Sequence, residues 1–290
     1  TTINGVNVSL KAHAAADDVI RNYVKDYNLQ VIERYGETEE IAGQDIGIEF
    51  NEENSISEIY HRKNSFQWVS SLFKGQKYYV DNLFVYNKDT LENKIKQLNC
   101  LNKDIIPPQN VNFRYSNGSY SLIEEVYGNK INRDKLNEAI NISIFHGKRK
   151  LDLNKELCYE DPKYSQSSEK TRETRKLLNK YVSAKITYIF GNEKEILDGN
   201  VINEWLTVNE NLDVTISEMA VMKYVRTLSR KYDTVGIPRN FKTSTGKTKE
   251  ISGGLYGWKI NFDAETKALL ENIKLGKVIE KEPVYTQKAL

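Results

Sequence analysis

Long apolar runs are missing from this sequence. No stretch of about 18 apolar residues occurs among its 290 positions, which excludes a membrane-spanning helix and a secretory signal from the chain as it stands. A bias of charge is missing as well. Lys+Arg 42 against Asp+Glu 40 leave a net charge of +2, far too little for the electrostatic footprint of a nucleic-acid binder, so nucleic acid is set aside as a partner. Cysteine and histidine are scarce. Cys100 and Cys158 lack close paired ligands, and His13, His61 and His146 lie far from one another, so no zinc spacing exists and no metal or cofactor is expected. No glycine-rich phosphate loop precedes a helix and no G-x-S-x-G elbow occurs, which leaves the chain without a recognisable nucleophile.

What is present describes ordinary cores under a well hydrated surface: 39% hydrophobic and 28% charged residues. The length suits two domains of moderate size. A duplication agrees with that. Residues 127–132 read YGNKIN and residues 256–261 read YGWKIN, 129 positions apart from Tyr127 to Tyr256. The same offset carries Ile140, Ile144, Gly147 and Lys148 onto Leu269, Ile273, Gly276 and Lys277. Upstream it slips to 128, where Asn112, Phe113 and Gly118 match Asn240, Phe241 and Gly246. Further forward Gly36 answers Gly191 at 155, so the first copy carries about 26 residues more in its middle (155 against 129). The candidate insertion lies around 74–100.

Periodicity places the elements. Residues 12–26 have helical apolar spacing, and Leu29 to Ile41 reads as a hairpin turning at 36–38, followed by a strand through Ile46, Ile48 and Phe50. Helices are expected over 55–73 and over 89–99, the second begun by an Asp89 cap, with a strand over 76–86 between them. The second copy repeats the plan: helix 171–182, strand 185–190, a turn at 191–194, helix 217–232. Each copy then gives strand, glycine turn, strand, the YGxKIN stretch and a helix, over 133–146 in the first and 263–275 in the second. The expected architecture is α+β, two tandem repeats of helices packed on small, mostly antiparallel sheets. The polar run SQSSEK at 165–170 sets the boundary, giving domains 1–167 and 168–290.

His146 comes twelve residues before Cys158, the only His and Cys neighbourhood in the chain. Its counterpart is Leu275, so it reads as the end of a helix, where a cation favours the dipole. The two cysteines are either buried free thiols or one disulfide joining the helix end near Asn99 to the loop closing the first repeat. The two glycines at 253 and 254 read as a bulge or turn. Tyrosine is abundant, 18 against 9 Phe. Aromatic faces and hydroxyls suit a glycan or peptide surface, which makes Tyr256, Trp258 and the basic neighbours Arg239, Lys242 and Lys259 the candidate contacts with substrate or with another domain. Tyr127 and Tyr256, present in both copies, also read as packing residues. Trp258 stands opposite Asn129, so its position tolerates a polar side chain and is expected to face outward.

From Phe241 to Ala289 the sequence FKTSTGKTKEISGGLYGWKINFDAETKALLENIKLGKVIEKEPVYTQKA resembles the segment immediately ahead of the catalytic domain in Gram-positive L,D-transpeptidases. The front of each copy resembles the same peptidoglycan-binding domain, which is found in tandem in clostridial members of that family. The ordered combination of TGK, SGGxYGWKIN and GKxxxKEPVY carries the resemblance. It implies an extracellular, wall-associated protein with an upstream membrane anchor, this tandem module, and a downstream domain with an SHGC-type cysteine motif. No such motif occurs here, so no catalytic residue is transferred and the chain itself is expected not to be an enzyme. The opening TTINGVNV reads as folded protein continuing from an upstream part. The partners implied are peptidoglycan and the downstream catalytic domain. Three roles follow: a module that binds the wall and positions the catalytic domain, a purely structural spacer, or a stand-alone wall-binding protein.

Overall fold

The computed structural model describes residues 1–58, 77–251 and 254–289. Two compact units emerge, Thr1–Gln109 with Val126–Pro162 and Asn110–Glu125 with Lys163–Leu290. Each has its own apolar core. The α+β architecture with mostly antiparallel pairing is the expected one.

In the first unit the helix His13–Lys25 buries Ala16, Asp17, Ile20 and Val24 along one stripe. It shares a core with a three-stranded sheet whose central strand, Asn28–Ile32, pairs antiparallel with Thr38–Ala42 and parallel with Lys150–Asp152. Asp17 is a buried carboxylate that serves the structure, accepting from the amides of Ile56 (2.7 Å) and Ser57 (3.1 Å), donors that a helix start leaves free. The rest of the helix expected over 55–73, from residue 59 onward, lies outside the described residues.

Several local expectations give way to turns. The strand through Ile46 to Phe50 is a short helix Gly43–Ile46 closed by left-handed Gly47, then a two-residue strand Glu49–Phe50. The strand expected over 76–86 is two pieces, Lys77–Tyr78 and Phe84–Val85, and Asn82 between them takes φ +54°. The following helix is Lys88–Lys96, and its cap is Asn87, whose side chain accepts from Thr90 N; Asp89 sits inside the first turn.

The second unit repeats the topology. Lys185–Phe190 pairs antiparallel with Glu193–Leu197 and parallel with Val278–Lys281, under the helices Glu169–Val182, Glu218–Tyr232 and Phe262–Leu275. Val221, Val225 and Leu228 bury one face of the middle helix.

The recurring YGxKIN stretch has a physical explanation. A Cβ on Gly128 would lie 2.1 Å from the Ile106 carbonyl oxygen, and one on Gly257 would lie 2.6 Å from the Thr234 carbonyl. Both glycines also have positive φ, +64° and +144°. Another backbone crosses where the side chain would be. At the end of the stretch Asn132 and Asn261 cap the next helix, accepting from Lys135 N and Ala264 N. The stretch is thus a crossing point followed by a helix start, kept for geometry.

The hairpin Asn112–Ser116 and Ser119–Ile123 is assigned differently by sequence and by contact. By sequence it belongs to the first copy; by contact it belongs to the second unit. Its alternation explains this. Phe113, Tyr115, Tyr120 and Leu122 point to one face while their neighbours are exposed, and Tyr120 joins the second core at 8% exposure. Asn179 brackets Tyr120, accepting from its amide (2.7 Å) and donating to its carbonyl (3.3 Å).

Of the two alternatives for the cysteines, the structure has the buried free thiols. Cys100 and Cys158 are both free and buried; each packs in the first core, and the Cys158 thiol is aimed at the carbonyls of Lys135 and Glu156. Burial pushes the Cys100 thiol up to about 12, helped by Glu39, and the Cys158 thiol up to about 11, helped by Glu156. The thiolate is the nucleophile, so iodoacetamide at pH 8 should leave the folded protein nearly unmodified and alkylate both cysteines once it is denatured. Rapid labelling of the native protein, read by intact mass, would contradict this burial. The sign for stability follows: raised folded pKa values favour the native state below about pH 8.5, the free-thiol value, and that contribution is lost as pH rises toward 12.

Candidate functional site

The second unit holds a cavity of about 600 Å³ built from the turn of its central hairpin, the end of one helix and the closing strand. Phe190 ends the strand Lys185–Phe190, and Tyr232 ends the helix Glu218–Tyr232. Their rings lie parallel, centroids 3.6 Å apart at 6°. In the same cavity Trp258 tilts against Tyr285, centroids 4.9 Å apart at 59°. The site therefore has two aromatic walls.

Trp258 is fixed through its backbone. Its amide donates to Thr234 Oγ1 and its carbonyl accepts from Thr234 N, both at 2.9 Å. The next amides continue the clamp, since Ile260 N donates to the Asp233 carboxylate at 2.9 Å. In the first copy Asn129 does the corresponding work differently: its side chain accepts from Ile106 N and donates to the Asp104 carbonyl. Asparagine is used there as an anchor, while in the second copy the threonine anchors and the indole is released to line the cavity.

Ionised groups rim the walls. Lys231 Nζ meets Glu195 at 2.5 Å, and the Tyr232 hydroxyl donates to Glu195 at 2.8 Å; together they hold the Glu195 carboxyl below the usual carboxylate range. Glu193 and Glu282 also line the cavity. Lys288 Nζ bonds Glu282 at 2.7 Å and lies over the rings of Trp258 (5.7 Å) and Tyr285 (5.4 Å). Burial, reinforced by Glu282, pushes the Tyr285 phenol up to about 12, so at neutral pH it is a neutral hydroxyl. Flat aromatic faces with hydroxyl donors, carboxylates and an ammonium at the edge can grip a sugar ring or pair with a charged peptide.

The five sequence candidates separate. Trp258 lines this cavity. Tyr256 and Arg239 line a second cavity of about 400 Å³, with the guanidinium over the tyrosine ring at 4.7 Å. Lys242 is exposed on the hairpin strand Arg239–Lys242, and Lys259 is exposed on a short strand paired with Tyr285–Gln287. Cys100 and Cys158 are core residues. His146 is the C-cap of Arg133–Phe145, packed against Tyr79. Sequence reading missed Phe190, Tyr232 and Tyr285 as wall residues, because each sits at one terminus of a different element and nothing in their spacing links them. Among the described residues no group of acidic, histidine or cysteine side chains could hold a metal ion, and no helix is long and apolar enough to cross a membrane.

No curated protein matches the chain. Among solved structures it is similar to the avibactam carbamoyl enzyme of Ldtfm, 29% identical, covering 40% of this chain and 46% of that one, with a TM-score of 0.34. It is similar also to a variant of Enterococcus faecium L,D-transpeptidase at 29% identity and the same coverages, TM-score 0.33. The chain thus spans less than half the length of either, and superpositions that loose carry no argument of their own. The family comparison is different in kind. The family model described as "Putative peptidoglycan binding domain" matches residues 39–152 and again residues 164–279, most of the chain in two copies that coincide with the internal duplication. The chain belongs to that family, as a tandem pair of its domains.

Proposed function

We propose that the chain is the non-catalytic, wall-side module of an L,D-transpeptidase of the clostridial kind, binding peptidoglycan through the groove around Trp258 and placing a following catalytic domain on its substrate. The observation that carries the binding half is the pair of aromatic walls, Phe190 with Tyr232 and Trp258 with Tyr285, facing a cavity rimmed by Glu193, Glu282 and Lys231. Peptidoglycan presents both sugar faces for stacking and charged stem peptides for pairing. The transpeptidase half is supported by the sequence resemblance of residues 241–289. The setting is extracellular, with an upstream anchor.

The test is a titration of the chain with soluble disaccharide-peptide muropeptides followed by amide and indole NMR shifts. Shifts should cluster on residues 190–193, 231–234 and 282–285 and on the Trp258 indole. Removing the indole with Trp258→Ala should weaken binding roughly tenfold, the equivalent of about 1.4 kcal/mol. An absence of shifts near Trp258 at millimolar ligand sinks the binding role. The spacer reading would then stand, supported by the packing signature that both copies share, the backbone crossings at Gly128 and Gly257.

A further inference from the structure

The two copies use their back hairpins unequally. In the first copy the hairpin Asn112–Ser116 and Ser119–Ile123 is received by the unit that follows it. Its docked face is Phe113, Tyr115, Tyr120 and Leu122, with Asn179 bracketing the Tyr120 backbone and Asn200 meeting the Tyr115 hydroxyl at 3.2 Å. In the second copy the equivalent hairpin, Arg239–Lys242 with Thr248–Ile251, is exposed at every strand residue except half-buried Arg239.

Register identifies the matching face. Phe241 pairs with Lys249 and Arg239 with Ile251, so side chains two apart place Arg239, Phe241, Lys249 and Ile251 on one face. Phe241 is the counterpart of Phe113 by the duplication. The face that is buried in the first hairpin is the one that shows Phe241 at 62% and Ile251 at 51% exposure in the second. Beside them Ile237 completes an open apolar cavity of about 400 Å³. Paired strands with apolar groups in water mark an interaction surface.

We propose that this hairpin is a docking clip for the folded domain that continues the same polypeptide beyond Leu290, seated as the first hairpin is seated on the second unit. This rests on the reading of the chain as a module ahead of another domain. The order of events along the chain selects that occupant: the hairpin of one copy is taken by the next unit in sequence, so the hairpin of the second copy is presented to whatever unit comes third. The chemistry of the clip describes its receiver. Arg239, Lys242, Lys247 and Lys249 against the single Glu250 make it cationic, so the receiving face is an apolar furrow with carboxylates at its rim. A helix amide placed to bracket the strand backbone would repeat the role of Asn179.

Hydrogen exchange on this chain and on the full-length protein, compared residue by residue, tests the clip. Amides of 240–250 should exchange at least tenfold more slowly in the full-length protein, and Phe241→Asp with Ile251→Asp should abolish that protection there. In the 290-residue chain the same substitutions should leave the thermal transition within a degree or two, which shows that the variant folds. Equal exchange in both proteins overturns the clip. Protection that appears in the chain alone and grows with its concentration overturns it too, since a second copy is then the occupant. Neither result bears on muropeptide binding at Trp258, which is measured on the chain by itself and can fail independently.

Discussion

Glu265→Ala is expected to destabilise the second unit by about 3–5 kcal/mol, the range for removing one partner of a buried ion pair. Glu265 is fully buried on the helix Phe262–Leu275. Every lone-pair direction of its carboxylate is used: Lys281 Nζ reaches both oxygens at 2.7 and 2.8 Å, the Tyr188 hydroxyl donates at 2.6 Å, and Val284 N donates at 2.6 Å. Alanine would strand an ammonium, a hydroxyl and an amide in the core at once, and leave a cavity. Tyr188 is itself fully buried in the central strand, its phenol pushed far up by burial first and by the Glu265 charge second. Urea unfolding followed by probes in the second unit measures the loss. Glu280→Ala serves as the comparison. Its partner Lys194 is 3.2 Å away, but both side chains are more than half exposed, so less than about 1 kcal/mol should disappear. If the two substitutions cost the same, the buried network does not organise the unit.

Gly128→Ala should cost the first unit roughly 2–5 kcal/mol, combining a left-handed residue with a Cβ, worth about 1–2 kcal/mol, and overpacking, worth about 1–3 kcal/mol. The Ile106 carbonyl would sit 2.1 Å from the new carbon. It cannot swing away, because Ile106 is held to Asn129 from both sides, its amide donating to the side chain and its carbonyl accepting from the Asn129 amide. Gly36→Ala separates the two contributions. Gly36 has φ +89° but open space around it, so only the conformational cost of about 1–2 kcal/mol should remain. Thermal melts of the two variants, compared with the parent, decide whether backbone crossing is what preserves glycine in this stretch. An equal loss from both would reduce Gly128 to an ordinary turn residue.

Much of the architecture could be read from the chain. Apolar spacing located His13–Lys25, Lys185–Phe190 and Glu218–Tyr232 to within one or two residues, because a helix or strand with one buried face writes its period into adjacent positions. The duplication was equally plain, since glycines at crossings and asparagine caps admit few substitutes. Short elements were less legible. Two-residue strands such as Glu49–Phe50 and Phe84–Val85 are too brief to show a period, and the cap at Asn87 was hidden beside the equally suitable Asp89.

The candidate site was legible only at Trp258, whose departure from Asn129 stood out because its neighbours repeat. Its companions did not. Phe190 and Tyr232 end a strand and a helix while Tyr285 begins another strand, and only the register of Lys185–Phe190 against Val278–Lys281 and the packing of Tyr232 on Phe190 bring them to one groove. Nor could the sequence say that the hairpin at 112–123 leaves its own copy, or that Cys100 and Cys158 stay apart as buried thiols. By itself the sequence determined the longer elements, the repeat and the family, all of which rest on patterns written within short stretches of chain. The tertiary structure alone decided which unit owns a hairpin, which carboxylate is buried with its lysine, and which aromatic rings share a cavity. Those depend on contacts between residues tens of positions apart, where the chain leaves no local mark.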